Sequence, residues 1–343
     1  MQKLIDNILE KVEPNKKPTF GLVIGIIDGQ TTYEYAYGQL SEKNNTKPNQ
    51  NTVFQIGSIS KVFTSTILMG MVQDSIVQLH DAITDFLPDS LAQQNPWLQN
   101  ITLAQLVTHT SGLPKTPYNI SMTIIDKENP YANYQIQDLY RFLGTYRPIV
   151  VKKKKKHTPF AYSNLGMGLL GHLLENAAAS SFDSLLYEYI NAPLKLENTS
   201  LSLSKKQQEK LAIGHYFSGR TINELTYKTL YSSEGLYSSL NDMIKFIKAN
   251  LFIDNPNNIF ELTHTPLYDT QMRWVKMAYG WFVISKDRKK MPTVITHSGR
   301  TGGYSNYIAF DKERQIGIVV MSNSAHRIDD IGIEIFEILI QNR

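Results

Sequence analysis

The order of segments along this chain predicts an α+β fold: one sheet assembled from both ends of the polypeptide and flanked by helices, plus a mostly helical lobe inserted between them. Three observations carry the prediction. Strand-like runs lie near the N-terminus and return after about residue 276, while the stretch from about Asp74 to about Leu262 reads as helix and loop. A serine one helical turn ahead of a lysine opens a nearly continuous apolar helix just after the first strands. Strands at both ends with helices between them argue for a single sheet with an insertion, and the cleft between two such lobes is a natural binding place. The expected division is residues 1–75 with 265–343 for the α/β lobe and residues 76–264 for the helical lobe.

Taken in order, the apolar residues from Met1 to about Val12 recur at helical spacing. Residues 20–28 form an apolar run expected as a buried strand. Gly29-Gln30 supplies a turn, and residues 31–37 alternate as the returning strand. The apolar helix follows at Ser58. In the middle region the clearest helices are residues 165–179 and 240–251. Later, residues 277–284 read as one strand and 293–298 as a second. Residues 304–310 and 315–322 form a hairpin around Asp311-Lys312-Glu313-Arg314, and an amphipathic helix, 330–340, closes the chain.

Composition bounds the chemistry. The 343 residues are 42% hydrophobic and 19% charged, an ordinary globular balance, and no run is long enough to span a membrane as a helix. Asp6 and Glu10 interrupt the N-terminal apolar residues, so this segment does not read as a secretory leader and the expected compartment is the cytoplasm, or the periplasm or exterior had a leader been removed. Cysteine is absent, which excludes disulfides, cysteine-ligated zinc and thiol catalysis. Much of the net charge of +4 comes from Lys152-Lys153-Lys154-Lys155-Lys156, read as a solvated loop or as a basic lip for an anionic substrate. No aromatic-interleaved basic face accompanies it, so nucleic acid is not an expected partner.

Three short segments concentrate the chemistry. The first is Ser58-Ile59-Ser60-Lys61. Residues three apart share a helix face, so the Ser58 hydroxyl and the Lys61 amine should meet. A buried lysine needs a partner, and a serine hydroxyl needs a base before it can attack. Alone, the pair could equally be a helix-capping serine and a snorkelling lysine. The second segment is Tyr162-Ser163-Asn164, just ahead of a helix, and the third is His297-Ser298-Gly299 at a strand end. His109 reads as structural, holding the turn at residues 108–114. Gly166-Met167-Gly168-Leu169-Leu170-Gly171 matches a dinucleotide fingerprint but lacks the preceding buried strand, so close helix packing accounts for it better. There is no His-Glu-x-x-His, phosphate loop or Gly-x-Ser-x-Gly elbow. No metal or organic cofactor is expected.

With these segments in this order the chain resembles the serine β-lactamase and penicillin-binding-protein superfamily, in its class C-like branch, over most of its length. Leu106-Val107-Thr108-His109-Thr110-Ser111-Gly112-Leu113-Pro114, Gly235-Leu236-Tyr237-Ser238-Ser239 and Tyr279-Gly280-Trp281 strengthen the likeness. The resemblance implies a β-lactamase/transpeptidase-like fold with an antiparallel sheet. It also implies acyl transfer: Ser58 attacks a carbonyl, and Lys61 and Tyr162 share the proton traffic. A tyrosine anion would be favoured by Lys61 and by a protonated His297. Asn164 would hold Lys61 and a substrate amide. The oxyanion would sit between the backbone N–H groups of Ser58 and Arg300. Gly299 would leave room for substrate along the strand, beside Ser298.

Three features depart from that pattern. His297 stands where many β-lactamases carry lysine, which favours the peptidases and esterases of the family. The lysine run and His157-Thr158-Pro159 replace a Pro-Gly turn, and Glu234 stands where relatives usually have glycine. The last two changes are expected to alter the substrate pocket and leave the acylation chemistry alone. The resulting expectation is a serine hydrolase for an amide or ester in a small molecule or peptide. A peptidase or amidase, with D-amino acids as one option, comes first; an esterase, a β-lactamase or an acyl transferase are alternatives. A binding or assembly protein retaining the fold is the alternative from another class. Residues 118–150, with Tyr131, Tyr134, Tyr140 and Tyr146, are expected to build much of the pocket.

Overall fold

The computed structural model describes residues 1–11, 21–41, 44–147, 159–285 and 293–341. The Lys152–Lys156 run, His157 and Thr158, Val12 and Phe20 lie outside the described residues.

Ten strands matter here: β1 (Leu22–Asp28), β2 (Thr31–Tyr37), β3 (Val53–Gln55), β4 (Tyr237–Ser239), β5 (Tyr268–Asp269), β6 (Val275–Met277), β7 (Phe282–Ser285), β8 (Thr293–Arg300), β9 (Ser305–Asp311) and β10 (Ile316–Ser322). Eight of them form one antiparallel sheet in the order β2-β1-β10-β9-β8-β7-β6-β5. The two ends of the chain meet at β1 and β10, where Leu22 pairs with Ser322 and Asp28 with Ile316. This is the single sheet expected from strands at both termini.

Both faces of β1 are covered, which is why its sequence is a continuous apolar run and not an alternating one. Helices α1 (Gln2–Lys11) and α5 (Asp329–Gln341) cover one face, packing Ile5, Ile8, Ile331 and Ile335 against Ile24, Ile26, Ile318 and Val320. Three more long helices are α2 (Ser60–Gln73), α3 (Asn164–Ala178) and α4 (Leu240–Leu251). The other face of the sheet meets α4, although α4 belongs by sequence to the middle of the chain. A Cβ on Gly25 would stand 2.8 Å from Ile244 Cδ1, and one on Gly317 2.8 Å from Ile247 Cγ2. The glycines thus let α4 sit close on β1 and β10. Within the helical region, Leu165, Leu169 and Leu173 of α3 join Phe63 and Ile67 of α2 in one core.

Two expectations need correction. Residues 277–284 are not one strand. β6 ends at Met277, Ala278 N–H donates to Trp281 O at 2.9 Å, and β7 begins at Phe282. Gly280 holds φ +77°, and a Cβ there would lie 2.1 Å from Ser65 Oγ. The turn is hidden in the sequence because Trp281, fully buried, keeps the run apolar. The tyrosines of residues 118–150 do not build the cleft at Ser58. Tyr134 is buried and bonds Asn119, Tyr140 bonds His172, and Tyr146 donates to Gly112 O. Tyr131 stacks on Tyr227. No helix among the described residues is long and apolar enough to cross a membrane.

Candidate active site

Ser58 lies in a tight 3-10 turn, Gly57–Ile59, that runs directly into α2. The turn is fixed from two sides. Ile56 N–H donates to Leu236 O at 2.9 Å, and Leu236 N–H donates to Ser60 Oγ at 3.1 Å, tying it to the residues that lead into β4. On the other side it abuts β8. Gly57 has φ +55°, and a Cβ there would stand 2.7 Å from Arg300 N. A Cβ on Gly299 would stand 1.9 Å from Ile56 O. Two glycines therefore face each other across a backbone-to-backbone contact. This corrects the expectation for Gly299: its missing side chain makes room for the nucleophile's own turn, not for substrate.

Lys61 is fully buried, and its Nζ donates to Ser58 Oγ at 3.0 Å and to Ser233 O at 2.9 Å. The i,i+3 geometry is the one expected from the spacing. Asn164 does not hold Lys61. Its Oδ1 is buried without a hydrogen-bond partner, and the Ser233 carbonyl takes the place expected for it. The Tyr162 ring lies with its centroid 5.1 Å from Lys61 Nζ, between the rings of His109 at 4.4 Å and Phe282 at 6.3 Å. The loop that carries Tyr162 is anchored by Ser163, whose N–H donates to His109 Nδ1 at 3.2 Å and whose Oγ donates to Pro114 O at 2.7 Å. Ala161 N–H donates to His109 O at 2.8 Å, so His109 works as a clamp on that loop. It accepts through Nδ1 and is uncharged; burial first, and then the nearby Lys61, hold its pKa well below the usual histidine value.

His297 is also buried. Its Nδ1 donates to Ser298 O at 2.7 Å, which leaves Nε2 as an acceptor, and that atom has no partner. Burial, followed by the positive charge of Lys61, pushes its pKa down to about 3. The expectation of a protonated His297 supporting a tyrosine anion is therefore corrected: desolvation keeps this ring neutral, and Lys61 is the cation beside Tyr162.

Ser58, Tyr162, Asn164, His297, Ser298 and Arg300 open together into one cleft of about 300 Å³, with Lys61 beneath Ser58. Lys115, Phe282 and Glu234 also line it and were not among the expected site residues. Lys115 directly follows the turn ending at Pro114, and its carbonyl accepts from Leu165 N–H at 3.0 Å. Glu234 matters most. Ser58 Oγ donates to Glu234 Oε1 at 2.9 Å, so this residue meets the Ser58 hydroxyl itself and does not only shape the pocket. The signal was present as an unusual residue before Gly235; its direction was not.

The chain matches the family described as Beta-lactamase over residues 3–341. It is 25% identical over 315 residues to the D-alanyl-D-alanine-carboxypeptidase/endopeptidase AmpH of Escherichia coli (strain K12), covering 88% of this chain and 78% of the relative. It is 24% identical over 337 residues to a Beta-lactamase of Yersinia enterocolitica, covering 88% and 82%. Its fold superposes on a crystal structure of a Beta-Lactamase/D-Alanine Carboxypeptidase from Pseudomonas syringae with a TM-score of 0.81 at 20% identity, covering 100% and 98% of the two chains. A class C beta lactamase from Rhodobacter sphaeroides gives 0.80 at 21% identity, covering 98% of each. The chain belongs to the β-lactamase family of serine hydrolases.

Proposed function

We propose that the protein cleaves an amide or ester through an acyl-serine on Ser58, and that it acts first as a peptidase or amidase on a small molecule or peptide. The observation that carries this is the buried Lys61 amine donating to Ser58 Oγ at the mouth of the cleft. A lysine taken out of water beside a serine has a steep cost unless it serves that hydroxyl.

In this reading Ser58 Oγ bonds to the substrate carbonyl carbon while its proton passes to a base. The Lys61 charge offsets the developing negative charge, and Tyr162, held against Lys61, relays a proton toward the leaving group. Backbone N–H groups of Ser58 and Arg300 receive the oxyanion; the contact between Gly57 and Arg300 N places the two backbones side by side. Such donors typically contribute roughly 3 kcal/mol each at the transition state. Asn164 Oδ1 and His297 Nε2 are buried acceptors without partners, and a substrate amide N–H entering the cleft would satisfy one of them. This favours amide over ester substrates. A neutral His297 offers no fixed cation for a β-lactam carboxylate, which favours a peptidase over an efficient β-lactamase. The names of the relatives, a carboxypeptidase/endopeptidase and a β-lactamase, fit that range.

Intact-mass measurement after treatment with a fluorophosphonate and with a fluorescent penicillin tests the reading. The expected result is one adduct per chain on the wild type and none on Ser58→Ala. A folded wild type that no acylating probe modifies would instead support a binding or assembly role. Turnover of p-nitrophenyl esters against D- and L-aminoacyl p-nitroanilides then separates esterase from amidase.

A further inference from the structure

The reading of Ser58 as nucleophile leaves open which group takes its proton, and the resting geometry points to an answer. We propose that Glu234 is a catalytic acid–base residue: its carboxylate accepts the Ser58 proton during acylation and takes one from water during deacylation.

Three observations converge. Ser58 Oγ already donates to Glu234 Oε1 at 2.9 Å, within the reach a general base needs. Lys61 Nζ is engaged as a donor, to Oγ at 3.0 Å and to Ser233 O at 2.9 Å. Among the described residues Tyr162 makes no hydrogen bond to Ser58. The hydroxyl is thus fed a hydrogen bond by Lys61 and points its own proton at Glu234. The carboxylate is also rigidly mounted. It ends the short helix Tyr231–Glu234, where Ser232 O accepts from Thr64 Oγ1 at 2.7 Å, Ser233 O accepts from Lys61, and Gly235 N–H donates to Tyr231 O at 2.7 Å. Glu234 is therefore tied to the same helix, α2, that positions the nucleophile.

The steps balance without any further reactant. In acylation the Ser58 O–H bond breaks, its proton moves to Glu234, the Oγ–carbon bond forms, and the carbonyl π pair moves onto oxygen. Collapse of that intermediate breaks the bond to the leaving group, which takes the proton. In deacylation water gives a proton to Glu234 as its oxygen bonds to the acyl carbon. The Oγ–carbon bond then breaks and the proton returns to Ser58. Lys61 stays a cation beside both oxyanionic intermediates.

The charged and titratable groups that face Glu234 are Lys61 from α2, Lys115 and Tyr162 from the loops ahead of α3, and His297 and Arg300 from β8. Tyr131 and Tyr227 feel the Glu234 charge, and the carboxylate of Glu175 on α3 accepts from Tyr231 of the same short helix. Burial, and then the positive charge of Lys61, hold the pKa of His297 low.

The test is the rate of fluorophosphonate labelling, and kcat and KM on the best substrate of the panel above, at neutral pH. Glu234→Gln should lower the labelling rate and kcat by roughly 10²–10⁴-fold with KM within about threefold. Glu234→Asp should restore part of the rate. Melting curves in the same buffers identify any loss that is only unfolding. A folded Glu234→Gln labelled at the wild-type rate overturns the proposal, and so does a folded Glu234→Ala at that rate should the glutamine variant not fold. Absence of any Ser58 adduct on the wild type would remove the acyl-serine reading itself, a distinct result.

Discussion

Replacing Gly299 with alanine adds one methyl group, and the geometry says where it goes. The new Cβ would stand 1.9 Å from Ile56 O, 3.1 Å from Ile56 C and 3.0 Å from Ile59 N. All three are backbone atoms, so no side chain can swing aside. An ordinary carbon–oxygen contact is about 3.3 Å, and relief therefore requires β8 and the Ser58 turn to part by roughly 1.4 Å. Overpacking of this kind costs about 1–3 kcal/mol. For 343 residues that corresponds to a fall in Tm of roughly 1–4 °C. The catalytic cost should be larger, because the same displacement separates the backbone N–H groups of Ser58 and Arg300. A misplacement of about 1 Å at reacting groups costs on the order of 10²-fold in rate.

The assay is kcat/KM for a small ester and a bulkier peptide substrate, together with the fluorophosphonate labelling rate and a melting curve. A wedge between backbones predicts a similar loss for all three reagents and a lower Tm. Were Gly299 a clearance for substrate, the loss would grow with substrate bulk while the small probe and Tm stayed as in the wild type. Activity within about threefold for every reagent at unchanged Tm would refute the reasoning altogether.

Three other perturbations have defined outcomes. Lys61→Met removes the hydrogen bond to Ser58 Oγ and the cation beside it, and the labelling rate should fall on the order of 10³-fold while the chain stays folded, as seen by circular dichroism. The neutral form of His297 is favoured on folding, so its contribution is fully present above the unfolded pKa near 6.5 and is lost as pH falls toward about 3. At pH 5 the loss is about 2 kcal/mol, and in urea titrations His297→Gln should show a shallower fall in stability between pH 7 and 5. Asn164→Ala removes a buried acceptor that has no partner in the resting site, so stability should change little. Amide kcat/KM should nevertheless fall about 10–100-fold, and a matching loss of Tm would contradict this.

Elements governed by local periodicity were the legible part of the fold. Residues 31–37 alternate and form β2 over that same span, and the stretch 240–251 forms α4 with Ser239 as its cap, accepting from Asp242 N–H. The pairing of Ser58 with Lys61 was legible for the same reason, since it depends on one helical turn. What escaped was set by contacts distant in sequence. Glu234 lies 176 residues from Ser58, and only the packing of its short helix on α2 decides where its carboxylate points. The protonation state of His297 follows from burial in a cleft that no local pattern reveals. At Gly299 the chain shows a glycine at a strand end, which is consistent with a clearance for substrate or for backbone. Only the approach of Ile56 O distinguishes them.

The N-terminus of α2 is the point on which these distant contacts converge, and this explains how groups from five segments can hold one geometry. Lys61 reaches down to Ser233 O, Thr64 to Ser232 O, and Ser60 Oγ receives Leu236 N–H, so three hydrogen bonds at the start of α2 bind it to residues 232–236. Those residues carry Glu234. The preceding turn is wedged against β8, which carries His297 and Arg300, by two glycines without side chains to hold it off. The Tyr162 loop is clamped separately, through His109 and Pro114. The Tyr162 ring approaches Lys61 Nζ and packs on Phe282 of β7. Glu234 is thus held from the same helix as Ser58, and α3, which follows the Tyr162 loop, is tied to the Glu234 helix in turn, Ser232 Oγ donating to Met167 O at 3.0 Å. A group that must accept the Ser58 proton gains most from the shared mount. Ser58 and Glu234 already stand 2.9 Å apart in the resting site, so that transfer needs the least rearrangement.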